Sequence, residues 1–210
     1  AFHTGMRRGE NLNMEWDHIN WERRHIFIPK TKNKEPRRIP ISSELFDNLL
    51  DHHRRVLDLF ERHVQIAETK LSSAIKAKES KQRLAVLQAN KEKAEKWLEG
   101  AQRWVFPSYD RNANLVPLKD VKNGFGKLLR AAGIKNFRFH DLRHTFASHY
   151  MMNGGNLYTL AKLLGHKNIK MTMRYADLSQ DYIDGDRERL DKMWTPAAKS
   201  EASTVSSAVN

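Results

Sequence analysis

Tyr175 closes a run, Gly165-His166-Lys167-Asn168-Ile169-Lys170-Met171-Thr172-Met173-Arg174-Tyr175, in which a histidine stands just past a helix-ending glycine and a short basic turn of helix follows. That order suits an aromatic hydroxyl held against a phosphate. Two separated stretches supply cations for the same purpose: Thr4-Gly5-Met6-Arg7-Arg8-Gly9-Glu10 and His140-Asp141-Leu142-Arg143-His144. A guanidinium is a planar fork that grips phosphate oxygens at two points, which an ammonium does not match. His140 precedes Arg143 by about one helical turn, so both can point at one phosphate, and Glu10 shares a helix face with Arg7 in the same way. A phosphodiester repels nucleophiles and leaves as a strongly basic alkoxide. Cleaving it without a metal needs cations on the non-bridging oxygens, a positioned nucleophile and a proton donor for the leaving oxygen.

The elements that must carry these residues are legible from pattern. Met6 to Met14 reads as a short helix with Leu12 turned inward. Arg24 to Ile28 and Arg37 to Ile41 alternate apolar with polar residues around a Lys/Asn/Pro turn, which predicts an antiparallel hairpin with Lys32 on its rising edge. Ser42 or Ser43 caps a helix from Glu44, with Leu45, Leu49, Val56, Leu59 and Phe60 at helical spacing. Residues 61 to 100 hold two narrow stripes, Val64, Ala67, Leu71 and Ile75, then Leu84, Leu87, Ala94 and Trp97 or Leu98, read as two helices folding back near Ala77 to Lys81. Val121, Phe125, Leu128, Leu129 and Ala132 mark a helix stopping at Gly133, with Lys119, Lys122, Lys127 and Arg130 off the stripe. Further helices are expected from His140 to Asn153 and from the Asn156 cap to Leu164. His144, His149 and Tyr150 read as packing residues of the His140 helix.

In this order, with Thr31-Lys32-Asn33-Lys34-Glu35-Pro36-Arg37-Arg38-Ile39-Pro40 as a fourth motif, the stretches resemble the catalytic domain of the tyrosine recombinases, the phage integrase family. The resemblance runs from Thr4 to about Asp177, apart from 61 to 100. It implies a mainly α fold with a small antiparallel sheet, and catalysis by Arg7, Lys32, His140, Arg143, His166 and Tyr175 with Glu10 in support. Tyr175 would attack the scissile phosphorus to give a 3′-phosphotyrosyl link, and Lys32 would protonate the 5′ oxygen. Lys34-Glu35 departs from the family's frequent Gly-Lys, which leaves Lys32 and Lys34 as alternatives. No cofactor, metal or ATP is implied, because the covalent link conserves the bond. The implied partner is double-stranded DNA, with a homo-tetramer on synapsed sites, or a monomer for the isolated fragment. In the family a core-binding domain precedes the motif of Arg7, so the expectation is an N-terminally truncated catalytic domain over 1 to 195, a helical hairpin insertion at 61 to 100, and a disordered tail from 196 to 210. A helix at 177 to 195 would pack on a neighbouring subunit.

The charge agrees with a polyanionic partner. The chain of 210 residues carries a net charge of +12, and residues 101 to 176 hold 13 Lys and Arg against 3 Asp and Glu. That stretch would supply a phosphate-facing surface, with Lys119, Lys122, Lys127, Arg130, Lys167, Lys170 and Arg174 as its candidate DNA contacts. The alternative is an ordinary solvated basic face. The absence of cysteine excludes disulfides, thiolate zinc sites and a cysteine nucleophile, and no apolar run would span a bilayer. The expected setting is the cytoplasm of a bacterium, on DNA, in a phage or mobile element. Three rivals stand beside this reading. His140 and His144 imitate the two zinc ligands of a metalloprotease helix, though Asp141 replaces the Glu base and Arg143 lies beside the would-be cation. A catalytically silent DNA-binding protein would need only the basic helices, and a type IB topoisomerase would share the chemistry without synapsis.

Overall fold

The computed structural model describes residues 1–29 and 35–178. A short helix α1 (Arg8–Leu12) leads into a three-stranded antiparallel sheet of β1 (Ile19–Asn20), β2 (His25–Ile28) and β3 (Arg37–Pro40), in that spatial order. Ile26 pairs with Ile19 on one side and Ile39 on the other. Strand alternation then turns Ile26, Ile28 and Ile39 inward and leaves Phe27 exposed. These isoleucines pack with Met6, Met14, Trp16, Leu49 and Val105 into one apolar cluster.

Two long helices follow, α2 (Ser43–Lys76) and α3 (Lys81–Arg103). Ser42 caps α2 by accepting from the Leu45 N–H at 3.3 Å, and Ser80 does the same for α3 from Arg83. The sequence pattern placed a helix from Glu44 and a separate one beyond Phe60; they are one helix of 34 residues. No Gly or Pro interrupts it, so nothing in the backbone stops propagation. Its inner stripe is Val64, Ala67, Leu71 and Ala74, and that of α3 is Leu84, Leu87, Ala94 and Ala101. Ile75 points to solvent instead, because the three-and-four spacing from Leu71 lands on Ala74 as the helices close at their tip. At the other end the pair is rooted: Val56, Phe60 and Ala101 are buried together with Trp97, Leu98 and Leu115 against them. The Trp97 indole N–H also donates to the Ala113 carbonyl at 2.6 Å.

A small ribbon, β4 (Pro107–Tyr109) with β5 (Leu115–Pro117), connects to four further helices: α4 (Lys122–Ala131), α5 (Asp141–Met152), α6 (Leu157–Leu164) and α7 (Lys170–Met173). α4 lies on Phe137 and Phe139 through Phe125, while Leu128, expected on its inner stripe, is exposed. α5 and α6 form a second apolar cluster from Ala147, Met151, Leu160, Leu164 and Tyr175. The Asn156 side chain caps α6 by accepting from the Tyr158 and Thr159 N–H groups. Among the described residues no helix is long and apolar enough to cross a membrane. The helix expected over 177 to 195 and the tail from 196 to 210 lie outside the described residues beyond Leu178.

Candidate active site

The last turn of α6 organises the site. A helix end leaves its final carbonyls without intrahelical partners, and these carry the negative end of the helix dipole. Here three consecutive carbonyls each accept from a different arginine. The Leu163 oxygen takes Arg37 Nε at 2.9 Å, the Leu164 oxygen takes Arg143 at 2.6 Å, and the Gly165 oxygen takes Arg7 at 3.2 Å. The three guanidiniums come from β3, α5 and the start of α1, so one helix end gathers three separated motifs. Gly165 makes this geometry available: its φ is +66°, and a Cβ there would lie 2.9 Å from the Arg37 guanidinium.

Glu10 ties the arginines to one another. Its carboxylate accepts two bonds from Arg37, at 3.0 and 2.6 Å, and one each from the Arg7 guanidinium and the Arg7 backbone N–H. The flanking cations hold its pKa below the usual carboxylate range in spite of its burial. Arg143 is buried, and its other arm donates to the Gly5 carbonyl at 2.7 Å. Gly5 has φ +60° and lies so close to the Phe146 ring that a Cβ would overlap it at 2.5 Å. Burial, and then the neighbouring charge of Arg7, lowers Arg143 to about 10, so it stays a cation at neutral pH.

His166 follows the glycine, and both ring nitrogens have partners. Nε2 lies 3.0 Å from an Arg143 N–H, which can only donate, so Nδ1 carries the proton and donates to Thr172 Oγ1 at 2.8 Å. Burial, then the charges of Arg143, Arg7 and Arg37, push its pKa down to about 4. The imidazole is therefore neutral at rest. His140 is the N-cap residue of α5, set edge-on to His144 with ring centroids 5.1 Å apart. Burial and then Arg143 lower its pKa.

Tyr175 is 6 % exposed, and its hydroxyl hydrogen-bonds His144 Nδ1 at 2.5 Å. His144 was expected to pack; it meets the hydroxyl instead, because α5 lies against the segment after α7 that carries Tyr175. His149, also expected to pack, is exposed at the edge of Phe2. A cavity of about 380 Å³ is shared by His140, Arg143, His144, His166, Arg174 and Tyr175. The arrangement sets the Arg143 cation and the Tyr175 phenol on one cavity, with the Arg7 guanidinium on the adjoining Gly165 carbonyl.

Lys32 and its alternative Lys34 lie outside the described residues. Lys119, Lys122, Lys127, Arg130, Lys167, Lys170 and Arg174 are all exposed. Lys122, Lys127 and Arg130 rim a second groove floored by Phe125, Phe137 and Phe139, and Lys170 and Arg174 border the Tyr175 cavity. Among the described residues no group of three or more His, Cys, Asp and Glu could hold a metal ion. Sequence reasoning gave Arg37 and Thr172 no part in the site and read His144 as a packing residue. Arg37 was visible as part of the hairpin motif, and His144 as the residue after Arg143; nothing in the sequence marked Thr172, which is fully buried.

A family model described as the phage integrase family matches residues 1–181. The integrase of Escherichia phage 186 is 62% identical over 45 residues, 21% of this chain and 13% of the phage protein. A XerC-like tyrosine recombinase of Caldanaerobacter subterraneus subsp. tengcongensis is 28% identical over 196 residues, 82% of this chain and 42% of that protein. The solved catalytic domain of bacteriophage HP1 integrase superposes with a TM-score of 0.52 at 25% identity, over 93% of this chain and 80% of that one. The chain thus spans less than half the length of these two curated relatives.

Proposed function

The chain belongs to the phage integrase family, and from that premise we propose that it is the catalytic part of a site-specific recombinase that cuts and rejoins double-stranded DNA through a 3′-phosphotyrosyl intermediate. Its fold, mainly helical with a small antiparallel sheet, is that of tyrosine recombinase catalytic domains. The observation that carries the reading is the meeting of Arg7, Arg143, His166 and Tyr175, from motifs spread over the chain, around the end of one helix. Arg7 and Arg143 hold the non-bridging oxygens of the scissile phosphate, and Glu10 orients Arg7. His140 and His166 stabilise the charge that develops on those oxygens. Tyr175 attacks phosphorus, and Lys32 gives a proton to the departing 5′ oxygen. A different 5′ hydroxyl then reverses the attack, with no metal and no ATP. The exposed basic residues on α4 and from Lys167 to Arg174 hold the duplex backbone, and four copies assemble on two synapsed sites, in a bacterial cytoplasm. Support for a DNA partner is the excess of 13 basic over 3 acidic residues in 101 to 176.

The test is covalent capture. The protein is incubated with a library of randomised nicked duplexes, adducts are recovered under denaturing conditions, and the recovered DNA is sequenced to give the attachment site. The wild-type chain is expected to capture a consensus, and Tyr175→Phe, which keeps the ring and deletes the attacking oxygen, to bind it without forming an adduct. An adduct persisting in Tyr175→Phe removes Tyr175 from the mechanism, and failure of the wild type to capture any duplex overturns the recombinase reading.

A further inference from the structure

Attack by Tyr175 requires its phenol to lose a proton, and burial pushes the phenol pKa above its ordinary value. Something must take that proton as the bond to phosphorus forms. Of the three histidines around the cavity, His166 has both ring nitrogens engaged, by Arg143 and Thr172. His144 places Nδ1 at 2.5 Å from the Tyr175 oxygen. The ionisable groups facing His144 are His140, Asp141 and Arg143 from α5, and Arg174 and Tyr175 from the segment after α7. Burial, then the His140 and Arg174 charges, outweigh Asp141 and keep the imidazole neutral near pH 7. With its proton on Nε2, the neutral imidazole turns the Nδ1 lone pair to the phenol and is ready to accept. A phosphate entering beside Arg143 would add negative charge to the cavity and favour the protonated ring as it forms.

Resting on the recombinase reading, we propose that His144 is the general base for the nucleophile, a catalytic residue beyond the six that the resemblance implies. In the forward step the Tyr175 oxygen bonds to phosphorus while its proton passes to His144 Nδ1. The bond from phosphorus to the 5′ oxygen breaks, and that oxygen takes its proton from the separate acid. In the reverse step a 5′ hydroxyl attacks and gives its proton back to the conjugate base of that acid, the phosphotyrosyl bond breaks, and the His144 imidazolium returns its proton to the phenol oxygen. Proton and charge balance in both directions without a co-reactant.

The experiment uses the full chain and the nicked duplex recovered by wild-type capture, with either oxygen or sulfur bridging at the 5′ side of the scissile phosphate. His144→Asn puts an amide oxygen where Nδ1 stood, keeping a hydrogen-bond acceptor that does not titrate near neutrality. Its single-turnover rate of adduct formation is expected to fall about 100-fold or more, with duplex affinity unchanged and the rising limb of the pH profile lost. A sulfur leaving group needs no acid, so it should restore Lys32→Ala and leave the His144→Asn defect in place. His144→Ala should regain rate in proportion to added imidazole, a response that loss of a packing residue cannot produce; this arm decides the matter if the Asn variant folds poorly. A His144→Asn rate within threefold of wild type with an unchanged pH profile, a defect erased by sulfur, or no rescue of His144→Ala would each overturn the assignment. Failure of wild-type capture would fall on the recombinase reading, not on His144.

Discussion

Arg37 and Glu10, 27 residues apart in the chain, form a two-point ion pair at 3.0 and 2.6 Å in which the side chains are only 8% and 9% exposed. The same guanidinium donates to the Leu163 carbonyl, so β3, α1 and α6 meet on one side chain. Removing one partner of such a pair strands a buried charge. Arg37→Ala is expected to lower the unfolding free energy by about 3–5 kcal/mol, and Arg37→Lys, which keeps charge without the fork, by less. Urea melts of both variants check the order; equal stability of Arg37→Ala and wild type would show that the pair fastens nothing.

Acid should loosen the site through His166. Its pKa in the folded chain, about 4, lies below the ordinary 6.5, so between those values the unfolded chain binds a proton that the native one refuses. The contribution to stability is complete above pH 6.5 and is lost as pH falls toward 4. His166→Gln keeps an acceptor for Arg143 and cannot titrate there. Its fall in melting temperature from pH 7 to pH 5 should be smaller than that of wild type by about 2–4 °C, which corresponds to roughly 1 kcal/mol once solvent screening is allowed for. Parallel curves for the two proteins would count against a depressed His166.

Binding should weaken steeply with salt. Each neutralised phosphate contributes about −0.9 to the slope of log affinity against log salt. Lys170 and Arg174 are exposed beside the Tyr175 cavity, and replacing either by Ala should reduce the slope by about one while lowering affinity for all sequences alike. A slope that either substitution leaves unchanged would remove that residue from the DNA surface.

The α2–α3 pair divides into a rooted base and a polar outer part. The base holds Val56, Phe60, Trp97 and Ala101, whereas outward of Val64 the buried residues are Ala74, Leu87 and Ala94 alone. Residues 61 to 100 carry 9 basic and 6 acidic side chains, far closer to balance than 101 to 176. A spacer or protein-contact role fits that balance better than a grip on DNA. Replacing residues 66 to 92 with a short Gly/Ser linker should leave cleavage of a single nicked site within about threefold of wild type, with any defect confined to assembly. Lost duplex affinity with a reduced salt slope would show that the outer hairpin holds DNA.

What could be read from the sequence divides along physical lines. Caps and stops are local, so Ser42, Asn156 and Gly165 announced α2 and α6, and the Ile-rich alternation announced β2 and β3. Helix continuity past Phe60 was hidden because a change in composition resembles a boundary when no breaker is present. Arg7, Arg143, His166 and Tyr175 stood out through resemblance, which orders motifs without supplying distances. The roles of Arg37 and His144 depend on where α6 ends and how α5 is rotated. Both are long-range facts: the Arg37 contact to Leu163 spans 126 residues, and the His144 contact to Tyr175 spans 31.

Arg37 at Leu163, Arg7 at Gly165 and Arg143 at Gly5 join two apolar clusters that do not merge, one on the sheet and one between α5 and α6. The seam between them is closed by guanidinium forks on peptide oxygens. Guanidinium chloride delivers that same chemical group from solution, so it competes for these oxygens as well as solvating the chain at large. Urea, being neutral, lacks the cationic half of that competition. The two denaturants should therefore part company here, with guanidinium opening the seam and silencing the chemistry well before either cluster melts. Free arginine in a storage buffer would act in the same direction, and preparations meant for assay are better kept without it.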